Sequence, residues 1–250
     1  MKCLVIAICS VLLVLSVGQA YCANPVGYFE YVHPDDTEFA GGWAYDADSP
    51  GTSLEIHFYM EGGVCIGGTT CDVYRPDVYG GGYYGFRWRI PYTLYDGSHN
   101  HTIYAYAINV GAGNNVQIAN SPKALHWGYC LSNEDARVVI DLDCGGAISQ
   151  IYHSSDWNKN MIYSHPGALV QASVYDSNYP DHPQYWNLVQ GSDLYHNYPG
   201  VITWSINYDT NTVYTKTRGL QWFPGAWGGG ANSPIQGDCY IEQWSQLDGE

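Results

Sequence analysis

The side chains best suited to chemistry in this 250-residue chain are aromatic rings beside amides. Trp186, Trp222 and Trp227 fall in two polar stretches, 177–200 and 221–238, that are rich in Pro, Gly, Asn and Tyr. Stretches of that length without an apolar period read as long loops, which in compact domains either carry function or cover a sheet. Flat rings pack on the apolar C–H faces of sugars. Gln190, and Gln171 on a neighbouring apolar run, offer amides to the hydroxyl groups. The competing role for each ring is that of a core or loop anchor. The expectation is a carbohydrate site formed by Trp186, Gln190, Trp222, Trp227 and Gln171.

Catalytic constellations are harder to assemble. Glycoside hydrolysis needs two carboxyl groups flanking the bond. Asp193, Asp238 and Glu242 lie in or beside the same stretches, but their spacing selects no pair, so catalytic residues stay unassigned. The histidines form no H-x-x-x-H or H-E-x-x-H pattern, and His99-x-His101 lacks a third ligand for a metal. Asp46 and Asp48 could hold Ca²⁺, but the dozen-residue calcium loop is missing. A turn in which Asp side chains accept from local N–H groups accounts for them better. No serine-hydrolase elbow and no phosphate-cradling glycine loop occurs. No metal and no cofactor is expected.

Strands must position these groups. Leu54, Ile56, Phe58 and Met60 alternate with polar residues, as do Phe86, Trp88 and Ile90, and the run His101 to Asn109 alternates as well. That period of two marks half-buried strands. Asp48-Ser49-Pro50-Gly51, Gly80-Gly81-Gly82 and Asp96-Gly97 supply turns between them. In the second half, 138–143, 147–153, 168–176, 201–208 and 239–247 read as further strands. No sustained helical period follows residue 20, so the fold class is all-β. A boundary near Ser121 to Cys130 divides the chain into units at 25–128 and 129–250.

The formal net charge is −15, from nine Lys+Arg against 24 Asp+Glu. Nucleic acid and anionic membrane surfaces both require basic footprints, so neither is an expected partner. The N-terminus combines Met1-Lys2, an apolar run over 4–17 and Gly18-Gln19-Ala20, which is the pattern of a cleaved signal peptide over 1–20. Secretion follows, with no membrane attachment after cleavage. Cys22, Cys65, Cys71, Cys130, Cys144 and Cys239 remain in the mature chain, an even set fit for disulfides in an oxidising compartment. Sequence leaves all 15 pairings open. A local Cys65–Cys71 bridge requires the intervening residues to turn, for instance at Gly67-Gly68. Asn100-His101-Thr102 is a glycosylation sequon.

Two family resemblances add to this reading. Gly42-Trp43-Ala44-Tyr45-Asp46, then Arg75-Pro76-Asp77-Val78, Gly85-Phe86-Arg87-Trp88 and His101 to Asn109, resemble small immunoglobulin-like β-sandwich modules of secreted proteins. Gly145 to Ile151, Asn160-Met161-Ile162, Gly167 to Ser173 and Trp186 to Gly191 resemble the opening of a galactose-mutarotase-like β-supersandwich. These resemblances imply an immunoglobulin-like sandwich followed by a truncated supersandwich, as in a fragment ending at Glu250. They also imply a glycan or polysaccharide as ligand. Relatives often carry an Arg after the Gly of the Gly-x-x-x-Gln element, where this chain has Ala168. Two other functions stay open: a glycan-processing enzyme lacking its catalytic half, and a structural or adhesive protein with no sugar site. Oligomeric state is left open.

Overall fold

The alternating runs of the first half build two antiparallel sheets that face one another. The computed structural model describes residues 23–32, 38–99, 101–162, 171–174, 186–189, 200–222 and 235–248. One sheet has the order β1 (Val26–Val32), β2 (Phe39–Tyr45), β6 (Gly82–Arg89), β5 (Val73–Arg75). The other runs β4 (Cys65–Thr70), β3 (Glu55–Tyr59), β7 (Thr102–Ala107), β8 (Val116–Gln117), and β9 (Lys123–Ala124) also pairs with β7. Ile56 and Phe58 of β3, Ile103 and Ala105 of β7, and Phe86 and Trp88 of β6 enter one core between them. The pleat dictates this, because residues two apart share a face. Gly42 is required where it stands: a Cβ there would collide with the Tyr28 carbonyl and the Phe86 ring.

A third sheet, β10 (Gly128–Ser132), β11 (Ala136–Asp141), β12 (Ala147–His153), serves two cores. Val139 belongs to the core of the first two sheets, while its neighbour Ile140 packs with Leu131, Leu142, Val201 and Val213 in a second cluster. Main-chain bonds also tie it backwards: Cys130 N donates to Tyr95 O at 2.8 Å and Gly97 N to Gly128 O at 2.9 Å. The fourth sheet has the order β13 (Gln171–Val174), β14 (Trp186–Val189), β16 (Thr212–Trp222), β15 (Val201–Asn207), with β17 (Ile235–Gln246) on the remaining side of β16. The protein is all-β. Among the described residues only two three-residue 3-10 turns, Glu61–Gly63 and Tyr92–Leu94, depart from strands and loops. No described helix is long and apolar enough to cross a membrane.

One sequence expectation needs correcting. Residues 186–189, 221–222 and 235–238 are strand rather than loop, so Trp186 and Trp222 sit on β14 and at the end of β16. Strand β16 carries little apolar signal because it buries Thr215 and Thr217, each under 3% exposed, where an apolar pattern would carry Val or Ile. Of the two conformations left open for the segment between Cys65 and Cys71, the structure has the extended one, and Gly67-Gly68 is not a turn. Glu61-Gly62-Gly63 turns instead, with Gly62 and Gly63 at φ +80° and +78°, a region glycine enters without strain. Cys65–Thr70 is therefore extended, which separates Cys65 from Cys71 by roughly 20 Å at about 3.3 Å per residue. A bridge needs Cα atoms within about 7 Å, so there is no local staple. Cys65, Cys71, Cys130 and Cys144 carry free thiols in this structure. Cys65 is exposed, and burial pushes the thiols of Cys71 and Cys130 up to about 12 and about 11. Cys144 is buried. Cys22 lies outside the described residues, and Cys239 lies on β17.

Candidate functional site

Among the described residues of the second half, the outer side of the fourth sheet carries the exposed Trp244 and Tyr240. Register aligns three rungs across it: Ser205–Tyr214–Trp244, Asn207–Thr212–Gln246 and Thr203–Lys216–Glu242. The inner side of the same strands takes Val213, Thr215, Thr217 and Ile241 into the interior, which leaves the alternate residues facing solvent. Trp244 is 63% exposed and Tyr240 57%. The Tyr214 and Trp244 rings lie 5.1 Å apart at 42°, forming one continuous apolar shelf. Tyr240 is four residues from Trp244 on the same strand, about 13 Å away along it.

Polar groups frame the shelf. Lys216 Nζ donates to Glu242 Oε1 at 2.8 Å and sits 4.9 Å from the Tyr240 ring centroid. The hydrogen bond to Glu242 raises the Lys216 pKa. Asn207 Oδ1 accepts from Asp209 N and Thr210 N at 3.0 and 3.3 Å, which closes the turn into β16. Together these groups border an open trough of about 500 Å³ lined by Tyr214 and Trp244 and by Ser205, Asn207 and Thr212. An exposed aromatic surface with hydroxyl, amide and charged groups at its margin offers a ligand both apolar contact and a few fixed hydrogen-bonding groups.

The residues expected from sequence fall elsewhere. Gln171 pairs with Val189, Trp186 with Val174, and Trp222 with Asn187, which puts Trp186 and Trp222 one register position out of line on adjacent strands. Gln190, Trp227 and Asn100 lie outside the described residues. Of the sequence-stretch carboxylates, the described Glu242 is paired with Lys216. Sequence reasoning placed a strand over 239–247 but missed Tyr214, Tyr240 and Trp244. The signal was the alternation Tyr240, Glu242, Trp244, Gln246 against Cys239, Ile241, Gln243, Ser245.

Asp46 and Asp48 act as loop fasteners. Asp46, 1% exposed, accepts from Asp48 N at 2.9 Å and from Val110 N at 3.3 Å. Asp48 accepts from Ala23 N at 2.6 Å. Arg75 of the Arg-Pro-Asp-Val element is likewise saturated, with paired bonds to Asp77 at 2.8 and 2.7 Å and to Glu30 at 3.0 and 2.8 Å. The guanidinium beside Asp77 holds that carboxyl down at about 2.

His99 and His101 diverge. His99 packs on Trp127 at 4.8 Å, whereas His101 bonds Glu61 Oε1 through Nδ1 at 2.9 Å and Asp96 Oδ1 through Nε2 at 3.1 Å. Both ring nitrogens can donate only in the imidazolium form. Burial lowers the His101 pKa, but the bonds to Glu61 and Asp96 outweigh it and the net shift is upward from 6.5. The Glu61 carboxyl is lowered, chiefly by His101. That of Asp96 is also lowered, because its hydrogen bonds from Ser98 and His101 exceed the opposing effect of burial. The His101 contribution is thus complete below about pH 6.5 and lost as pH rises through its elevated value. The carboxylate contributions are present above their ordinary values of 4.5 and 3.8 and lost as pH falls through the lowered ones. Stability from this cluster should peak between about pH 4.5 and 6.5. The carboxylates are half exposed, so His101→Gln should cost only about 0.5–1 kcal/mol, with the loss fading as pH rises through the elevated His101 value. Melting curves across pH 4–9 check this; an equal loss at pH 5.5 and pH 9 would contradict it.

The chain matches no family model, no curated protein and no solved structure. Among the described residues no group of three or more His, Cys, Asp or Glu is placed to hold a metal ion. Function is therefore argued from the surfaces themselves, since a β-sheet scaffold alone hosts many activities.

Proposed function

We propose that this chain is a secreted glycan-binding protein that engages its ligand on the outer face of β15, β16 and β17. In this reading the first two sheets correspond to an immunoglobulin-like module. The later sheets correspond to part of a mutarotase-like supersandwich, in keeping with the motifs read from sequence. The signal-like N-terminus supports export, and the sequon and cysteine set fit a secretory route.

One observation carries the binding assignment. A tryptophan 63% exposed beside a half-buried tyrosine, on a hydrogen-bonded sheet, presents a large apolar surface that folding leaves uncovered. The sheet fixes both rings before any ligand arrives, so little ordering cost is left for binding. Trp244→Ala should weaken binding by about 2 kcal/mol, roughly thirtyfold, as loss of a central aromatic contact does. Calorimetric titration against immobilised or soluble polysaccharides measures the effect, with circular dichroism confirming that the sheet persists. Equal affinity in wild type and Trp244→Ala would remove this face from the reading.

A further inference from the structure

A second aromatic groove lies on the outer side of the first half, far along the chain from the fourth sheet. Tyr59 of β3 pairs with Tyr104 of β7, and His57 pairs with Tyr106, so β7 turns two tyrosines outward beside His57 and Tyr59 of β3, with core residues inward on both strands. The Tyr59 and Tyr106 rings stand 5.5 Å apart at 87°, one as floor and one as wall. With Met60, Ile108 and Asn115 they bound an open volume of about 370 Å³.

Two features make this a prepared surface. The Tyr106 hydroxyl donates to Gln117 Oε1 at 3.1 Å, and Gln117 Nε2 donates to Ser121 O at 2.7 Å, so the wall ring is tethered at its far end. The rim is the Glu61–Gly63 turn, where Gly62 and Gly63 leave bare backbone with open space around it. That turn is anchored from outside the groove: Glu61 Oε2 accepts from Thr102 N at 2.9 Å, and its other oxygen meets His101.

We infer that this groove is a second glycan site, selective for a neutral saccharide, so that one chain holds two glycan segments at once. None of the residues lining it carries a charge. A chain of net charge −15 repels polyanionic sugars from a site that offers no cation to receive them. Its volume suits one or two sugar rings, at the small end of ligand sites. Two modest sites on one chain raise retention on a polymer far above either alone, because the second contact becomes intramolecular. The inference rests on the same reading of aromatic faces as sugar platforms, but the two sites fail separately.

The test is isothermal titration of the full chain with neutral hexaoses of β-1,4-glucan, β-1,4-mannan and β-1,3-glucan. A polyuronate hexamer serves as the anionic comparison. Wild type should take up two equivalents of at least one neutral probe and neither site should take the polyuronate. Tyr59→Ala and Trp244→Ala should each remove one equivalent, and the double variant both. Hydrogen exchange on the wild-type chain supplies a readout independent of any variant's folding. Saturating saccharide should slow exchange in 59–64 and 104–108. A single equivalent that survives Tyr59→Ala, with no protection at 104–108, overturns the second site and leaves the first standing. A single equivalent lost in Tyr59→Ala but kept in Trp244→Ala upholds the groove and sinks the fourth-sheet site. Uptake of none of the neutral probes overturns both.

Discussion

Phe58→Ala should lower the free energy of unfolding by about 3–5 kcal/mol, the range for removing a buried phenylalanine ring. Phe58 is fully buried and stacks on Trp88 with centroids 4.1 Å apart, while Phe29 and Phe86 contact it at 6.1 and 5.9 Å. These rings belong to three strands in two sheets, so no single neighbour can relax into the space without moving a hydrogen-bonded strand. The void should therefore persist, and the loss combines transfer and cavity terms. Each kcal/mol moves the melting midpoint by about 2–4 °C in a protein of this size, so a fall of roughly 10 °C is expected. Phe58→Leu should recover much of it. A fall of less than about 3 °C in Phe58→Ala would mean that the core collapses around the site.

The second large effect is expected at the seam between the first sheets and the third. Glu38 is 6% exposed, and its carboxylate lies 3.4 Å from the Arg89 guanidinium. Arg89 also donates to Trp157 O at 2.9 Å and to Asn158 O at 2.5 Å. Arg89→Ala removes those bonds and leaves a buried carboxylate without its cation, with Asn160 Nδ2, at 3.4 Å, and the Tyr152 hydroxyl still bonded to it. Breaking such a pair from one side costs about 3–5 kcal/mol, and the partial exposure of Arg89 puts the expectation near the lower figure. Replacing both groups, as in Glu38→Leu with Arg89→Met, should restore most of the loss, because the cost lies in the uncompensated charge. Urea unfolding of the single and double variants gives the coupling directly. Additive losses in the double variant would show that the two residues do not act as a pair.

The sequence made the first core legible because its inward positions are unambiguous: Ile56 and Phe58, or Ile103 and Ala105, alternate with polar or phenolic residues. The Glu61–Gly63 turn was hidden by a better-looking glycine pair five residues on. Strand β16 was hidden because Thr215, Thr217 and Gly219 occupy its inner face, so hydrophobic period carried no signal there. The candidate site failed to show for a different reason. Over 239–246 one alternate set is Cys, Ile, Gln, Ser and the other Tyr, Glu, Trp, Gln, and Ile241 against Glu242 points to the first set as the inner one. The structure has that orientation, with Ile241 8% exposed and Trp244 63%. What the strand alone does not give is its neighbour: Tyr214, whose ring meets Trp244, lies on β16, the strand that the threonines hid.

All five arginines are already engaged within the chain. Arg75 serves Glu30 and Asp77, Arg89 serves Glu38, Arg87 lies 3.5 Å over the Phe39 ring, and Arg137 is held between the rings of Tyr92 and Trp157 at 3.8 and 4.1 Å; Arg218 too has a partner. With nine Lys+Arg against 24 Asp+Glu, a neighbouring molecule nevertheless meets a strongly anionic chain. β17 pairs on one side only among the described residues, and an unpaired edge invites a second chain to add a strand. Here mutual repulsion between copies guards that edge. Such protection is only as long as the screening distance, about 10 Å at 0.1 M salt and about 3 Å at 1 M. Colloidal stability should therefore fall as ionic strength rises, and dilute buffer is the condition in which the molecules stay apart.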